Sequence, residues 1–321
     1  MAPAGAGKIG AQMSDPFNKN PEATYGVVEN VAPGVRRITC PNPSPYTFTG
    51  TQSYLVGTGD VAIIDPGPAR AEHLATISAA LGPEERISHI LVTHSHADHS
   101  PGATVLSRET GAQIWAYGQH GAGMSATMAA LVAQGAEIGG GEGGDTAFRP
   151  DHVLADGERV EGNDWGLTAI NTPGHLSNHL SFALDGTGTV FTGDMIMGFA
   201  TTLVSPPDGD MAAFMASLEV LAARTDDTLY LPGHGHPVDA PLEMVAYQRG
   251  HREQRFAQIL DALGDGPKDA ATLTQAIYTD IDPALMGAAS RNVLASLIGL
   301  ADQGRVAAQG AIAVDAIFER T

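Results

Sequence analysis

The chain has 321 residues, 43% of them hydrophobic, which is enough for a large core and two domains. Its 36 acidic and 17 basic residues give a formal net charge of −19, which repels polyanions and argues against broad, sequence-independent nucleic-acid binding. The one cysteine, Cys40, excludes an internal disulfide and fits a reducing compartment.

Residues 1–24 are rich in Ala, Gly and polar side chains and lack the apolar core of a signal peptide. They read as a poorly ordered tail, in part an appended leader. No apolar run approaches the length of a membrane span, so no membrane association is expected and the expected location is the cytoplasm. Strand signals follow at Gly26-Val27-Val28, Val35 to Ile38, Ser53 to Val56 and Val61 to Ile64, the last ended by Asp65-Pro66-Gly67. Ala71 to Leu81 is an amphipathic helix stopped by Gly82-Pro83.

The apolar run Ile90-Leu91-Val92 then opens onto Thr93-His94-Ser95-His96-Ala97-Asp98-His99. Three imidazoles and a carboxylate within six positions, on a loop leaving a buried strand, have the composition of metal ligands. His94 and His96 alternate and can aim two nitrogens at one ion. Asp98 and His99, a turn further on, can face a second. Gly102 to Thr110 reads as a helix and Ile114 to Ala116 as a strand. Residues 118–144 read as either a mobile lid or a solvent-facing linker, with Ala126 to Ala133 as a helix and Gly139 to Gly144 too flexible for packed structure. Strands dominate from Val153 to Thr192. Two of them end on Thr172-Pro173-Gly174-His175 and Phe191-Thr192-Gly193-Asp194. Asp210 caps a helix over Met211 to Leu221, and a further strand ends on Tyr230-Leu231-Pro232-Gly233-His234-Gly235-His236. Each of these candidate ligands follows an apolar run beside Gly or Pro, where a sheet edge delivers side chains into one cleft.

The C-terminal part differs in character. Phe256, Ile259, Leu260 and Leu263 fall at i, i+3, i+4 and i+7 of a helix with one buried stripe. Thr272-Leu273-Thr274-Gln275 reads as a capping box opening a short second helix. Asp282-Pro283 opens a third, whose stripe is Val293, Leu294, Leu297 and Ile298. Arg305 to Val314 reads as a hairpin around Gly310. Three helices and a hairpin make a winged-helix-like unit.

The ordered motifs HxHxDH, TPGH, TGD and PGHG resemble the metallo-β-lactamase fold superfamily over roughly residues 25–243. The segments His251-Arg252-Glu253-Gln254-Arg255, Ala276-Ile277-Tyr278 and Arg291-Asn292-Val293-Leu294 are similar to the tail of its β-lactamase-like protein 2 family, as is Ser205-Pro206-Pro207-Asp208-Gly209-Asp210. The resemblance implies an α/β fold, an αββα sandwich over 25–243 with a smaller winged-helix-like domain over 244–321. It puts His94, His96 and His175 on a first metal, and Asp98, His99 and His234 on a second, with Asp194 bridging both. It further implies that Asp65 braces the His94–His99 loop and that His179 supports the site from behind or contacts substrate. His236 is a weaker candidate proton donor. His73, His89, His120, His152 and His251 are expected to be structural or solvated, and Arg252 and Arg255 to solvate their helix.

Two Zn²⁺ per chain, or Fe or Mn, suit this donor set. Two such ions activate one shared water, so the nucleophile is a metal-bound hydroxide and no serine or cysteine is required. Asp98 is then the carboxylate that orients this nucleophile or takes its proton. The acidic balance ranks a small ester, thioester, lactone or lactam first as substrate. Single-stranded RNA cleavage, implied for some members of the resembled family, ranks second. A noncatalytic nucleic-acid-binding regulator ranks last, because Ala284 to Gln303 carries only Arg291 as a basic residue. Oligomeric state is left open.

Overall fold

The computed structural model describes residues 14–136, 138 and 143–321. A first sheet of seven strands runs in sequence order: β1 (Glu29–Ala32), β2 (Val35–Thr39), β3 (Gln52–Val56), β4 (Asp60–Ile64), β5 (Arg86–Leu91), β6 (Gln113–Ala116) and β7 (His152–Val153). Its outer face carries α1 (Ala71–Ala79) and α2 (Pro101–Thr110). Helix α3 (Ala126–Ala133) follows β6, and its Met128 and Leu131 are buried. The second sheet holds β8 (Arg159–Glu161), β9 (Gly166–Asn171), β10 (Leu180–Leu184), β11 (Thr189–Gly193) and β12 (Leu229–Pro232), in spatial order β12-β11-β10-β9-β8. Helices α4 (Met211–Ala222) and α5 (Pro241–Ala262) cover its outer face.

The period-two alternation of the strands builds these layers. In β4, Val61 and Ile63 turn outward to Leu74 and Ile77 of α1 and Leu106 of α2. Ala62 and Ile64 turn inward to Leu180, Phe182 and Phe191 of the second sheet. In β11, Phe191 faces this middle layer, while Val190 faces α4 with Phe214 and Leu218. The result is the αββα sandwich.

The C-terminal unit comprises the end of α5, α6 (Ala270–Ile277), α7 (Met286–Asp302) and a hairpin of β13 (Val306–Ala308) and β14 (Phe318–Arg320). Leu260 of α5 and Val293 of α7 lie in one core that also takes Phe214 and Leu218 of α4. Three sequence expectations shift here. The hairpin's second strand lies at Phe318–Arg320, beyond the expected 305–314, because residues between the strands form an irregular loop. The α6 cap is Asp269, whose carboxylate accepts from Thr272 N at 2.7 Å, so Thr272 sits inside the helix. Pro283–Leu285 forms a 3₁₀ turn that leads into α7.

The stretch Pro283–Asp302 is long and apolar enough to cross a membrane, contrary to the expectation that no run reaches that length. Val293, Leu294, Leu297 and Ile298 are buried against the protein's own core, which accounts for its apolar character.

The first expected strand also moves. Val27 and Val28 are exposed or nearly so, and β1 begins at Glu29. Of the expected tail, 1–13 lie outside the described residues. Residues 14–24 form no helix or strand, yet Phe17 packs edge-on to Tyr247 with ring centroids 5.5 Å apart. Of the expected lid or linker, 137 and 139–142 lie outside the described residues. Its described end touches the metal loop, where Ala97 N donates to Gly143 O at 2.6 Å and Gly144 pairs with His96.

Candidate metal centre

Every candidate ligand leaves the carboxyl end of a strand. β5 delivers the His94–His99 loop, β9 His175, β11 Asp194 and β12 His234, with Asp65 at the end of β4. β4 and β5 run parallel in one sheet and β11 and β12 parallel in the other, so these ends converge on one rim of the sandwich. Two groups form there. Ligand atoms of His94, His96, His175 and Asp194 lie within 4.8 Å of one another, as do those of Asp98, His99 and His234. Asp194 stands between them: its Oδ2 is 3.5 Å from His175 Nε2 and 3.3 Å from His234 Nε2, and its Oδ1 is 3.6 Å from His99 Nε2.

The donor set fits divalent cations. His96 Nδ1 lies 2.9 Å from His94 Nε2 and 3.0 Å from His175 Nε2, and His99 Nε2 lies 3.2 Å from His234 Nε2. Imidazole nitrogens aimed at one another cannot all be satisfied by shared protons. A tetrahedral ion with bonds of about 2.0–2.1 Å would hold its ligand atoms ~3.3 Å apart, close to these spacings. Asp194 Oδ1 is buried without a hydrogen bond, as a ligand oxygen would be.

The far nitrogens fix the tautomers. His175 Nδ1 donates to Leu203 O at 2.7 Å, His99 Nδ1 to Asp65 Oδ2 at 2.9 Å and His234 Nδ1 to Gly50 O at 3.2 Å. Each bond turns Nε2 toward the cluster, and for His175, whose ring is held neutral, it leaves the Nε2 lone pair facing the site.

Burial, reinforced by the neighbouring rings of His99 and His96, holds His94 well below the ordinary imidazole range. Burial and the His175 ring push His96 down to about 3. Burial also lowers His175, with Asp194 working the other way. Burial opposes a charge on His99 and His234 too, but carboxylates outweigh it there. Asp98, Asp194 and Asp65 hold His99 well above the ordinary range, and Asp194 and Asp98 push His234 up to about 10. Burial alone would raise Asp98 and Asp194, but His99 and His234 keep both well below the usual carboxylate range. One group is thus a set of neutral donors, the other a set of proton-sharing pairs.

Asp65 takes a left-handed backbone, φ 50°, which turns its carboxylate under the loop. It accepts from Thr93 N and Thr93 Oγ1, both at 2.7 Å, as well as from His99. His179 stands behind the site: its Nε2 accepts from Asp194 N at 3.1 Å, and its Nδ1 pairs with Thr172 Oγ1 at 2.9 Å. His236 is outside both groups and donates from Nε2 to Asn20 O at 2.9 Å. Arg252 corrects the sequence expectation. It is only 2% exposed, lies 5.1 Å over the Phe214 ring and donates from Nη2 to Thr202 O. Its position on the inner face of α5, against α4, replaces the expected solvation. Arg255 lies over the Tyr278 ring at 4.3 Å.

Sequence reading missed several supporting groups. Thr51 Oγ1 donates to Asp98 Oδ2 at 3.0 Å, and Thr202 Oγ1 donates to Asp194 O at 2.8 Å. His120, read as structural or solvated, pairs with Ser95 Oγ at 3.1 Å, between two ligand histidines. No periodicity marks these residues, because their roles arise from loops that meet only in the fold.

The model of the metallo-beta-lactamase superfamily matches residues 46–234, and that of the beta-lactamase associated winged helix domain matches 270–313. A relative named beta-lactamase-like protein 2 homolog, from Caenorhabditis elegans, is 28% identical over 87% of this chain and 88% of its own. One named atrochrysone carboxyl ACP thioesterase, from Claviceps purpurea, is 30% identical over 74% of this chain and 67% of its own. A beta-lactamase domain protein from Burkholderia ambifaria superposes with a TM-score of 0.75 at 23% identity, covering 92% of this chain and 94% of that one. The family match over more than half the chain and the divalent-cation site place the protein in the metallo-beta-lactamase superfamily, as a metal-dependent hydrolase with a C-terminal winged-helix domain.

Proposed function

We propose that this chain uses two metal ions, Zn²⁺ by the chemistry of its donors, to hydrolyse a small acyl substrate, with thioesters first and esters and lactones after them. The observation that carries the dinuclear part is Asp194, within 3.6 Å of imidazole nitrogens from both groups. Bound there, the ions would supply an activated water and polarise the carbonyl under attack. The chain's own residues do the rest. His96 and Asp98 are half-buried while the other five candidate ligands are buried, so these two stand nearest the substrate side. Asp98 Oδ2, oriented by the Thr51 hydroxyl, is the atom that accepts the attacking water's proton.

The acyl preference rests on the surroundings. Phe48 and Phe199 stack with centroids 4.9 Å apart, and each lies on a segment that bonds to His234: Gly50 O accepts from its ring and Gly198 N donates to its carbonyl. We take this aromatic pair, tied to His234 through those two segments, as the apolar wall for the acyl chain. The cations suited to RNA are engaged elsewhere: Arg252 is buried, Arg255 is stacked on Tyr278, and Arg291 donates to Ile138 O at 3.0 Å. The thioesterase name of the Claviceps purpurea relative supports the same class.

The test is turnover by metal-loaded protein of a panel holding an acyl thioester, a glutathione thioester, a lactone, nitrocefin and a labelled single-stranded RNA. Thioester turnover well above the rest is expected. Preferred cleavage of RNA would replace this reading with that of an endoribonuclease.

A further inference from the structure

We propose that the C-terminal unit sets the geometry of the metal ligands through the strap Thr202–Val204, with Arg252 and Asn292 as positioning residues. The proposal rests on the metal-hydrolase reading and concerns what holds the ligands in place.

The strap is three residues long, and every one of them bonds outward. On the site side, Thr202 Oγ1 donates to Asp194 O at 2.8 Å, and Leu203 O accepts from His175 Nδ1 at 2.7 Å. These are the main-chain carbonyl of Asp194, whose carboxylate is the proposed bridge, and the ring of a candidate ligand of the first group. On the C-terminal side, Thr202 O accepts from Arg252 Nη2 of α5, and Val204 N donates to Asn292 Oδ1 of α7 at 2.9 Å. Thr202 and Val204 are both fully buried. The strap belongs to no helix or strand, so no ladder holds it, and these side chains fix its position.

Arg252 is a costly way to make such a bond. A buried guanidinium loses its hydration, and no carboxylate pairs with it among the described salt bridges. Its Nε has no hydrogen-bond partner, and its guanidinium lies over the Phe214 ring. Replacing such a buried cation by an apolar side chain of similar volume is often neutral or stabilising. Stability is therefore a poor account of its role. What the guanidinium supplies is direction: one N–H, from Nη2, holds the Thr202 carbonyl, and Thr202 in turn donates its hydroxyl to the Asp194 main-chain carbonyl. Asn292, two helices away on α7, pins the other end. Outer hydrogen bonds of this kind orient ligands and typically change metal affinity 10–100-fold when removed.

The test uses full-length chains: wild type, Arg252→Met, Arg252→Lys, Asn292→Ala, Thr202→Val and, as a control on the same helix, Arg255→Met. Three quantities are read: Zn²⁺ affinity by chelator competition, the ligand-field absorption of the Co²⁺-loaded protein, and the thermal midpoint. Arg252→Met is expected to keep or raise the midpoint, yet to lose roughly 10-fold or more in affinity and to shift the Co²⁺ bands. Arg252→Lys should recover part of the loss. Asn292→Ala and Thr202→Val should move the same way, and Arg252→Met with Thr202→Val should cost less than the sum of the two. Arg255→Met should match wild type. If Arg252→Met fails to fold, Asn292→Ala and Thr202→Val decide the matter. Wild-type affinity and Co²⁺ spectra in those folded variants would overturn the proposal. A wild type that takes up no metal would instead overturn the hydrolase reading, and this proposal with it.

Discussion

Replacing Asp194 by alanine removes the one carboxylate among the described residues that lies within 3.6 Å of nitrogens from both candidate ligand groups. Elemental analysis of Zn²⁺-loaded Asp194→Ala should therefore show at least one of two ions lost, and two retained ions would rule out bridging. The protonation of the histidines adds an order to the loading. In the metal-free chain, His94, His96 and His175 are held below the ordinary imidazole value and present free lone pairs at neutral pH. His99 and His234 are held above it, His234 up to about 10, so an ion entering their group must displace protons. Lowering the pH from 8 to 6 should thus weaken the second equivalent by about tenfold per unit for each proton displaced, while the first changes little. Titration with a pH indicator would check this; equal proton release in both steps would contradict it. The residues that the fold gathers into the two candidate groups were legible in the sequence because their chemistry is concentrated at strand ends in short motifs. The residues that hold them were not, since Thr51, Thr202 and Leu203 are ordinary residues whose hydrogen bonds depend on where distant loops meet.

Gly174 shows how elements fix the site. It sits at φ 138°, and a Cβ there would lie 2.3 Å from Phe214 Cα, so β9 hands its chain to His175 in direct contact with the α4 backbone. Gly174→Ala should destabilise the protein by about 3 kcal/mol through overlap and backbone strain, and should impair metal uptake by moving His175. Denaturant melts paired with metal analysis test it; a stable, fully loaded variant would show that this approach is not required. A second test at this scale is Leu297→Ala on α7, a fully buried position expected to cost about 2–5 kcal/mol. The elements read most reliably from sequence were those with a strong period or a clear cap. Asp210 caps α4 as expected, accepting from Ala212 N and Ala213 N, while the helix Ala126–Ala133 forms within the stretch least readable from sequence. The misread elements lacked such signals. Val27 and Val28 are apolar yet lie outside β1, and Asp269 competes with Thr272 for the same cap. Arg252 was misread because a charged residue on an apolar helix face is normally solvated, and only the packing of α5 on α4 reveals its burial.

At the scale of the molecule, the outer face of the second sheet and the C-terminal helices share one core, from Val190 and Phe214 through Leu260 to Leu297. Catalytic and winged-helix parts should accordingly unfold in a single calorimetric transition, and two resolved transitions would show that they are energetically independent. On the proposed acyl-hydrolase reading, the whole-molecule charge disfavours RNA as a substrate. With a net charge of −19, an RNA strand meets repulsion before it meets the site, and Arg252, Arg255 and Arg291 are engaged within the protein. Two phosphate contacts would release few counterions, giving a salt slope of only about −1.4 in log K for a single strand, far short of a dedicated nucleic-acid binder. The proposed substrate, a neutral or singly charged thioester, avoids that repulsion. Rates on acyl thioesters should therefore exceed those on single-stranded RNA by orders of magnitude at matched ionic strength. Phe48→Ala should raise KM for long-chain more than for acetyl thioesters, since only the longer chain reaches the aromatic surface. If Phe48→Ala leaves chain-length preference untouched while RNA is cut faster than any thioester, the electrostatic argument fails and the nuclease reading takes its place.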